Sequence, residues 1–165
     1  MAQALYAVDT GTTFTNSLAT PAVQTILAFA SSATDHGLQL KKYRIGFNGV
    51  TASNTPVLCR IYSCTFASNG IGSAGSSQTI KQVAGRAIAA TNMTAGSNWP
   101  ASTEPTVKTY IGEEFSLTPN GGTILYDFPL GDEPDTFNSG GMGFGFEITP
   151  AQVVGFSAAM FFTRI

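Results

Sequence analysis

Charged side chains are scarce: Asp, Glu, Lys and Arg make up 11% of the 165 residues, against about 25% in an average soluble domain. The polar surface must therefore be built from Ser, Thr, Asn, Gln and Gly, which favours a β-rich fold with many turns. At a formal net charge of −2, there is no Lys/Arg stripe of the kind that displaces counterions from nucleic acid. Lys41, Lys42 and Arg44 read as the solvated side of a strand. Histidine is rarer still. His36 is the only one, and it reads as an exposed turn residue between Asp35 and Gly37, with no serine-elbow context to make it a hydrolase base. One His and two Cys do not supply a zinc site. Cys59 and Cys64 point to opposite faces of one extended segment and cannot bridge each other without a break in it. They read as two buried free thiols, which excludes a disulfide-stapled secreted scaffold. No apolar run approaches the ~20 residues that span a bilayer. The opening MAQALYAVDTGTTF has neither the basic start nor the apolar centre of a signal peptide, so synthesis in a cytoplasm is expected.

Other chemistry is equally thin. Asp127, Asp132, Glu133 and Asp135 offer oxygen ligands for calcium but lack the spaced ligands and closing Glu of a recognised calcium loop; a solvated acidic turn is the simpler reading. Glu113 and Glu114 are neighbours in an extended segment and point apart, so with Glu104 they make no glycosidase pair. Gly70, Gly72 and Gly75 are followed by no Gly-Lys-Ser/Thr, so their loop is no phosphate cradle. Neither a catalytic centre nor a cofactor is expected.

What is present is a strand pattern, clearest over Gly141–Arg164, which reads GMGFGFEITPAQVVGFSAAMFFTR. Met142, Phe144, Phe146 and Ile148 share one face of a strand, because successive side chains alternate. The other face carries Gly141, Gly143 and Gly145, with Glu147 its only side chain. Gly at alternate positions would cost a helix roughly 1 kcal/mol each relative to Ala. Phe156 to Phe162 is apolar on both faces apart from Ser157, as in a central covered strand. Earlier strands must wait to receive this pair.

Upstream, 23–30 alternates as a strand and 31–37 is a turn. Over 38–47 the apolar phase changes at Lys41–Lys42, as one extra residue in a β-bulge would cause. The run 57–66 is expected to pair antiparallel with 38–47. Residues 67–77 are a small-residue loop, 78–89 leans towards strand over helix, and 91–106 is a long loop holding Trp99. Short strands follow at 107–111, 114–117 and 123–128, and the loop 129–140 leads to the final pair. This gives an all-β chain, an antiparallel two-sheet sandwich of jelly-roll type with about eight strands over residues 23–165. Residues 1–22 form an extended N-terminal arm in which Tyr6, Val8, Phe14 and Leu18 are separated by polar residues. Such an arm orders by lying on its own domain or on a neighbour. Trp99 is either a recognition platform or the side chain that tucks its loop onto the sandwich.

The segments YAVDTGTTFTNSLATPAVQTILAF, LKKYRIGFNGVTASNTPVLCRIYSC and TPNGGTILYDFPLGDEPD resemble small structural proteins of tailed bacteriophages, some of which decorate the outside of the head. The resemblance covers most of the chain and carries over no catalytic residue. It implies a virion component made in the host cytoplasm and bound to the major capsid protein at the capsid surface. It also implies a trimer, or a seat on a symmetric capsid axis. A non-enzymatic decoration or cementing protein is the function expected, with Tyr6, Val8, Phe14 and Leu18 as its contacts to the capsid or a neighbouring subunit. Neither nucleic acid nor membrane is an expected partner. The alternative is a jelly-roll recognition module on a head fibre or tail, binding a glycan or receptor through loops that include Trp99 and Tyr110.

Overall fold

The computed structural model describes every residue except 1–2, 12–13, 16–21, 49–53, 67–70, 72–75, 86–88, 106 and 137–139, and only the backbone at 14, 15 and 101. The described residues form strands β1 (Leu5–Asp9), β2 (Phe14–Thr15), β3 (Gln24–Ser31), β4 (Leu38–Phe47), β5 (Val57–Thr65) and β6 (Ser76–Ser77). They continue with β7 (Lys81–Ala84), β8 (Met93–Ser97), β9 (Thr109–Leu117), β10 (Thr123–Asp127), β11 (Met142–Thr149) and β12 (Gly155–Arg164). The sole described helix is a single 3-10 turn at Ala101–Thr103. None is long and apolar enough to cross a membrane.

All strand pairings are antiparallel and make two sheets. The first runs β10-β4-β12-β1-β7, with β2 beside the start of β12; the second runs β6-β8-β3-β11-β5-β9. Their apolar faces pack against each other as a sandwich. Tyr6, Tyr43, Met160 and Phe162 come from one sheet, and Phe29, Cys59, Phe144 and Phe146 from the other. Phe29 stacks on Phe162 with ring centroids 3.9 Å apart, and Tyr43 meets Phe146 edge-on at 5.6 Å. Each such ring contributes roughly 1.5–3 kcal/mol through burial.

The two glycine- and phenylalanine-rich runs at the end are both central strands, as their patterns require. β11 lies between β3 and β5, and β12 between β4 and β1. The expected bulge in β4 is present. Phe161 pairs with Lys42 and Phe162 with Leu40, so Lys41 is the extra residue that swaps the faces.

Four expectations are corrected. β4 and β5 do not pair; they belong to opposite sheets, β4 beside β10 and β12, and β5 beside β9 and β11. Matching apolar alternation specifies a buried face and not a partner. Residues 107–111 and 114–117 are not two strands. β9 is one strand in which Tyr62 pairs with Tyr110 and Arg60 with Glu114, which leaves a bulge around Gly112 at φ +87°. The strand at β8 falls where a loop was expected, because Thr94, Gly96 and Ser97 give it no alternation. Among the described residues there are twelve strand segments, two of them only two residues long, where about eight strands were expected.

The N-terminal arm is also corrected over its described part. β1 is inserted between β12 and β7, pairing Leu5 with Thr163 and Ala7 with Lys81. Tyr6 and Val8 are completely buried, and the Tyr6 ring stacks on Phe162 at 5.8 Å. The apolar alternation of the first residues is that of a strand completing its own sheet. Phe14 pairs through its backbone with Phe156, and Leu18 lies outside the described residues.

Candidate functional site

The outer face of the second sheet carries a dense polar network. It begins at Glu147, on the face of β11 that glycine otherwise leaves bare. Glu147 is 1% exposed, and a buried carboxylate persists only when cations and hydrogen-bond donors surround it. Lys108 Nζ donates to its Oε2 at 2.5 Å, and the Tyr110 hydroxyl donates to its Oε1 at 3.0 Å. Arg60 flanks Oε1 at 3.9 Å while donating from Nε to Glu114 at 2.6 Å. Lys108 and Tyr110 stand two apart on one face at the entry to β9, and Arg60 and Tyr62 do the same on β5. Both pairs lie on the same side of β11, β5 directly beside it and β9 beyond.

Lys108 also donates to Glu104 Oε2 at 3.1 Å. Glu104 in turn accepts from the backbone N–H of Thr25 and, at 2.7 Å, from its hydroxyl. Thr25 reaches this face because Ile26 is a bulge in β3: Leu27 pairs with Phe146 and Thr25 with Glu147. The Tyr62 hydroxyl completes the chain by donating to Thr25 Oγ1 at 2.7 Å. Lys108 Nζ sits 4.6 Å above the Tyr62 ring, and the Arg60 guanidinium 5.1 Å above that of Tyr110. Burial pushes the Lys108 ammonium down, but the hydrogen bond to Glu147 and the charges of Glu104 and Glu147 outweigh it, so Lys108 lies above the usual lysine range. The Tyr62 phenol is pushed well up by burial.

Beside the network, Ala28, Ala30, Tyr62, Cys64, Phe66 and Trp99 form a second apolar cluster, separate from the inner core. Trp99 packs into it. Gln24 Nε2 holds Asn98 Oδ1 at 2.6 Å and the Trp99 carbonyl at 3.1 Å, and the Trp99 N–H donates to Thr25 O at 3.0 Å. Chemically the arrangement is a clamp. One ammonium joins two carboxylates, and hydroxyls, a backbone amide and a guanidinium occupy their other sides.

Trp99 is 1% exposed and packs 6.0 Å from Phe66. It tucks its loop onto the sandwich and offers no platform to a ligand. Tyr110 is 48% exposed, and Arg60 covers one face of its ring. The structure does not bring Trp99 and Tyr110 into one recognition surface: one is under the loop, the other on an edge strand.

His36 is buried, which corrects its reading as an exposed turn residue. Its Nδ1 lies 2.5 Å from Asp35 Oδ1 and 3.1 Å from Arg164 Nη2, and its Nε2 lies 3.3 Å from Ser31 Oγ. The hydrogen bond from His36 holds the Asp35 carboxyl below the usual carboxylate range. Ser31, His36 and Asp35 follow the order of a hydrolase triad. Ser31 is fully buried, however, and donates its hydroxyl proton to Ala33 O at 2.7 Å. The cluster fastens the 32–37 turn to the end of β12, where Gly37 and Ile165 exchange backbone hydrogen bonds.

The acidic loop is dispersed onto cations. Glu133 meets Lys41 at 3.0 Å and Asp127 meets Lys42 at 3.8 Å. Among the described residues, no three His, Cys, Asp or Glu side chains gather as a metal site. Glu113 faces inward and accepts from the Tyr43 hydroxyl at 3.0 Å, while Glu114 faces outward to Arg60. Cys59 lies in the inner core and Cys64 in the outer cluster, both as free thiols on opposite faces of β5.

The one sequence signal for the network was Glu147 itself, a lone carboxylate on a glycine face. Lys108, Arg60, Tyr62 and Thr25 come from separate segments, and no local pattern marks them. No family model, curated protein or solved structure matches this chain.

Proposed function

We propose that this chain is a non-enzymatic structural protein of a tailed-phage virion, a decoration or cementing protein with a jelly-roll type body. It binds the major capsid protein on the outside of the capsid as a trimer or other symmetric oligomer. The observation that carries the reading, beside the sequence resemblance, is an open flank of the sandwich. β9 and β10 are the terminal strands of the two sheets, and Tyr43 touches both, 5.9 Å from Phe115 and 5.5 Å from Tyr126. Each therefore offers an unpaired edge on the same side, and unpaired edges invite pairing with another chain. Among the polar residues of this flank stand exposed apolar side chains: Leu125 is 61% exposed, and Val107 and Leu130, beyond the strand ends, are 80% and 96% exposed. A surface of that kind suits a protein whose working state is an assembly.

The contact surface moves accordingly. Tyr6 and Val8 hold up the core, so the β9–β10 flank replaces them as the surface we assign to capsid or subunit contact. With Trp99 buried, the recognition-module alternative loses its main aromatic side chain. The test is co-sedimentation with undecorated, expanded shells of the cognate major capsid protein. Saturable binding at a fixed copy number per capsomer is expected, and Leu125→Asp with Leu130→Asp should weaken it at least tenfold without loss of folding. Absence of binding by the folded protein would overturn the reading.

A further inference from the structure

We infer that the open edge of β10 is a self-pairing interface, through which two copies of this chain join antiparallel about a two-fold axis at Leu125. The inference rests on the reading of the β9–β10 flank as a contact surface, and it names a second copy as the occupant of the β10 edge.

Edges that must stay unpaired carry charges, bulges or very short strands. The other three sheet ends do. β7 closes the first sheet with Lys81, 3.6 Å from Asp9, and a register shift against β1 leaves Val83 as an extra residue. β6, at one end of the second sheet, is two residues long, and β9, at the other, is broken by its bulge around Gly112. β10 has none of these devices. It pairs with β4 without a register shift, from Thr123 on Gly46 to Asp127 on Lys42. Neither proline nor a basic residue stands in it, and Leu125 at its centre is 61% exposed.

The strand is also complementary to itself. The Phe47 N–H donates to Gly122 O, and the Phe128 N–H to Lys41 O. Antiparallel bonding alternates along a strand, so Ile124 and Tyr126, in phase with Gly122 and Phe128, also turn their backbone groups to β4. The N–H and C=O groups of Thr123, Leu125 and Asp127 therefore point to the open side. With Leu125 set against its own copy, Thr123 opposes Asp127 at both ends. Each of these opposed pairs exchanges two backbone hydrogen bonds. On the outer face the Asp127 carboxylate meets a threonine and not another acid, and it keeps Lys42 at 3.8 Å. On the inner face Ile124 stands opposite Tyr126, an aliphatic–aromatic pair that favours strand association. A shift of two residues either way loses one of the opposed pairs and sets Leu125 against Asp127 or Thr123. Beyond the strand, the same register brings Leu130 towards the Gly121–Gly122 turn of the other copy. Leu130 is held in a turn that the Asp132 N–H closes on Pro129 O at 3.0 Å. A β-carbon at Gly121 would meet nothing within 4 Å, so that turn leaves space for it. The product is one sheet running through both sandwiches, from β7 of one copy to β7 of the other.

The test is sedimentation velocity of the full chain over a micromolar to millimolar concentration series, with circular dichroism as the folding control. A reversible monomer–dimer equilibrium is expected. Leu125→Lys and Leu125→Glu each place like charges opposite one another at the axis, which repel. Each variant alone should stay folded, because the side chain is exposed, and dimerise at least tenfold more weakly. Mixed together, the two should recover association as a one-to-one pair, since residue 125 then meets its opposite charge. A chain that stays monomeric throughout the series overturns the inference. So do single variants that dimerise as the unaltered chain does, or a mixture that fails to recover. A dimer that ignores capsid shells would overturn the virion reading and leave this inference standing, and a monomer that binds them would do the reverse.

Discussion

Tyr62 lies across Gly145: a β-carbon at residue 145 would stand 2.2 Å from the Tyr62 Cζ and 2.3 Å from its hydroxyl oxygen. Tyr62 cannot swing away freely, because its hydroxyl is bonded to Thr25 and its ring lies under Lys108. Gly145→Ala should therefore destabilise the protein by about 1–3 kcal/mol, the usual range for overpacking, and Tyr62→Leu in the same chain should recover part of it. Gly143 differs. A β-carbon there would stand 2.0 Å from the Phe29 carbonyl oxygen, so Gly143→Ala should cost more and resist rescue by any side-chain change. Urea unfolding of the three variants checks both statements.

Lys108→Met removes the cation from a carboxylate that is 1% exposed. Loss of one partner from a buried pair costs about 3–5 kcal/mol, whereas an apolar replacement of both is often neutral. Lys108→Met with Glu147→Leu should thus be more stable than Lys108→Met alone. A double-mutant cycle by chemical denaturation measures the coupling.

Stability should fall steeply on the alkaline side. Burial pushes both the Cys59 and Cys64 thiols up to about 12, and Lys108 also lies above its ordinary value. A group with a raised pKa in the folded state supports folding fully below its unfolded pKa. That support is lost as the pH climbs towards the folded value. Between about pH 9 and pH 12 the unfolded chain ionises its thiols while the folded chain does not. The urea midpoint should drop through this window. The Cys59→Ala, Cys64→Ala double variant should show a shallower decline.

The Ser31–His36–Asp35 alignment gives a direct chemical test. A fluorophosphonate probe should leave Ser31 unlabelled, because its oxygen is buried and its proton is committed to Ala33. His36→Ala should cost about 1–2 kcal/mol through lost hydrogen bonds, measured as a lower urea midpoint. Labelling at Ser31 would refute the structural role.

Tyr6→Ala should cost about 3–5 kcal/mol, as for other large aromatic side chains in a core. Removal of residues 1–22 should unfold the sandwich outright, since β1 leaves with it. Circular dichroism of the truncated chain decides this.

Much of this fold was legible. The alternation in 38–47, 57–65 and 142–149 marks strands, and the phase change at Lys41 located a bulge. Partners were not legible, since an apolar face fits any opposing sheet, and the 48–56 connection carries the chain from one sheet to the other. β1 was obscured because Tyr6 and Val8 sit in a stretch rich in Asp, Gly and Thr. At the site, Glu147 stood out against its glycines. Its partners did not, because a buried ion network assembled from several strands leaves no spacing in any one of them.

The placement of β11 and β12 has a consequence for synthesis. Leu5 must wait for Thr163, and β3 must wait for Phe144 and Phe146. The second sheet lacks its middle until β11 ends at Thr149, and the first until β12 ends at Arg164. Contacts of such long sequence separation form slowly, and until then two half-sheets present bare central edges, where aggregation begins. The nascent chain therefore cannot fold piece by piece. Its sandwich closes in one late step, as the last strands slide into gaps held open for them.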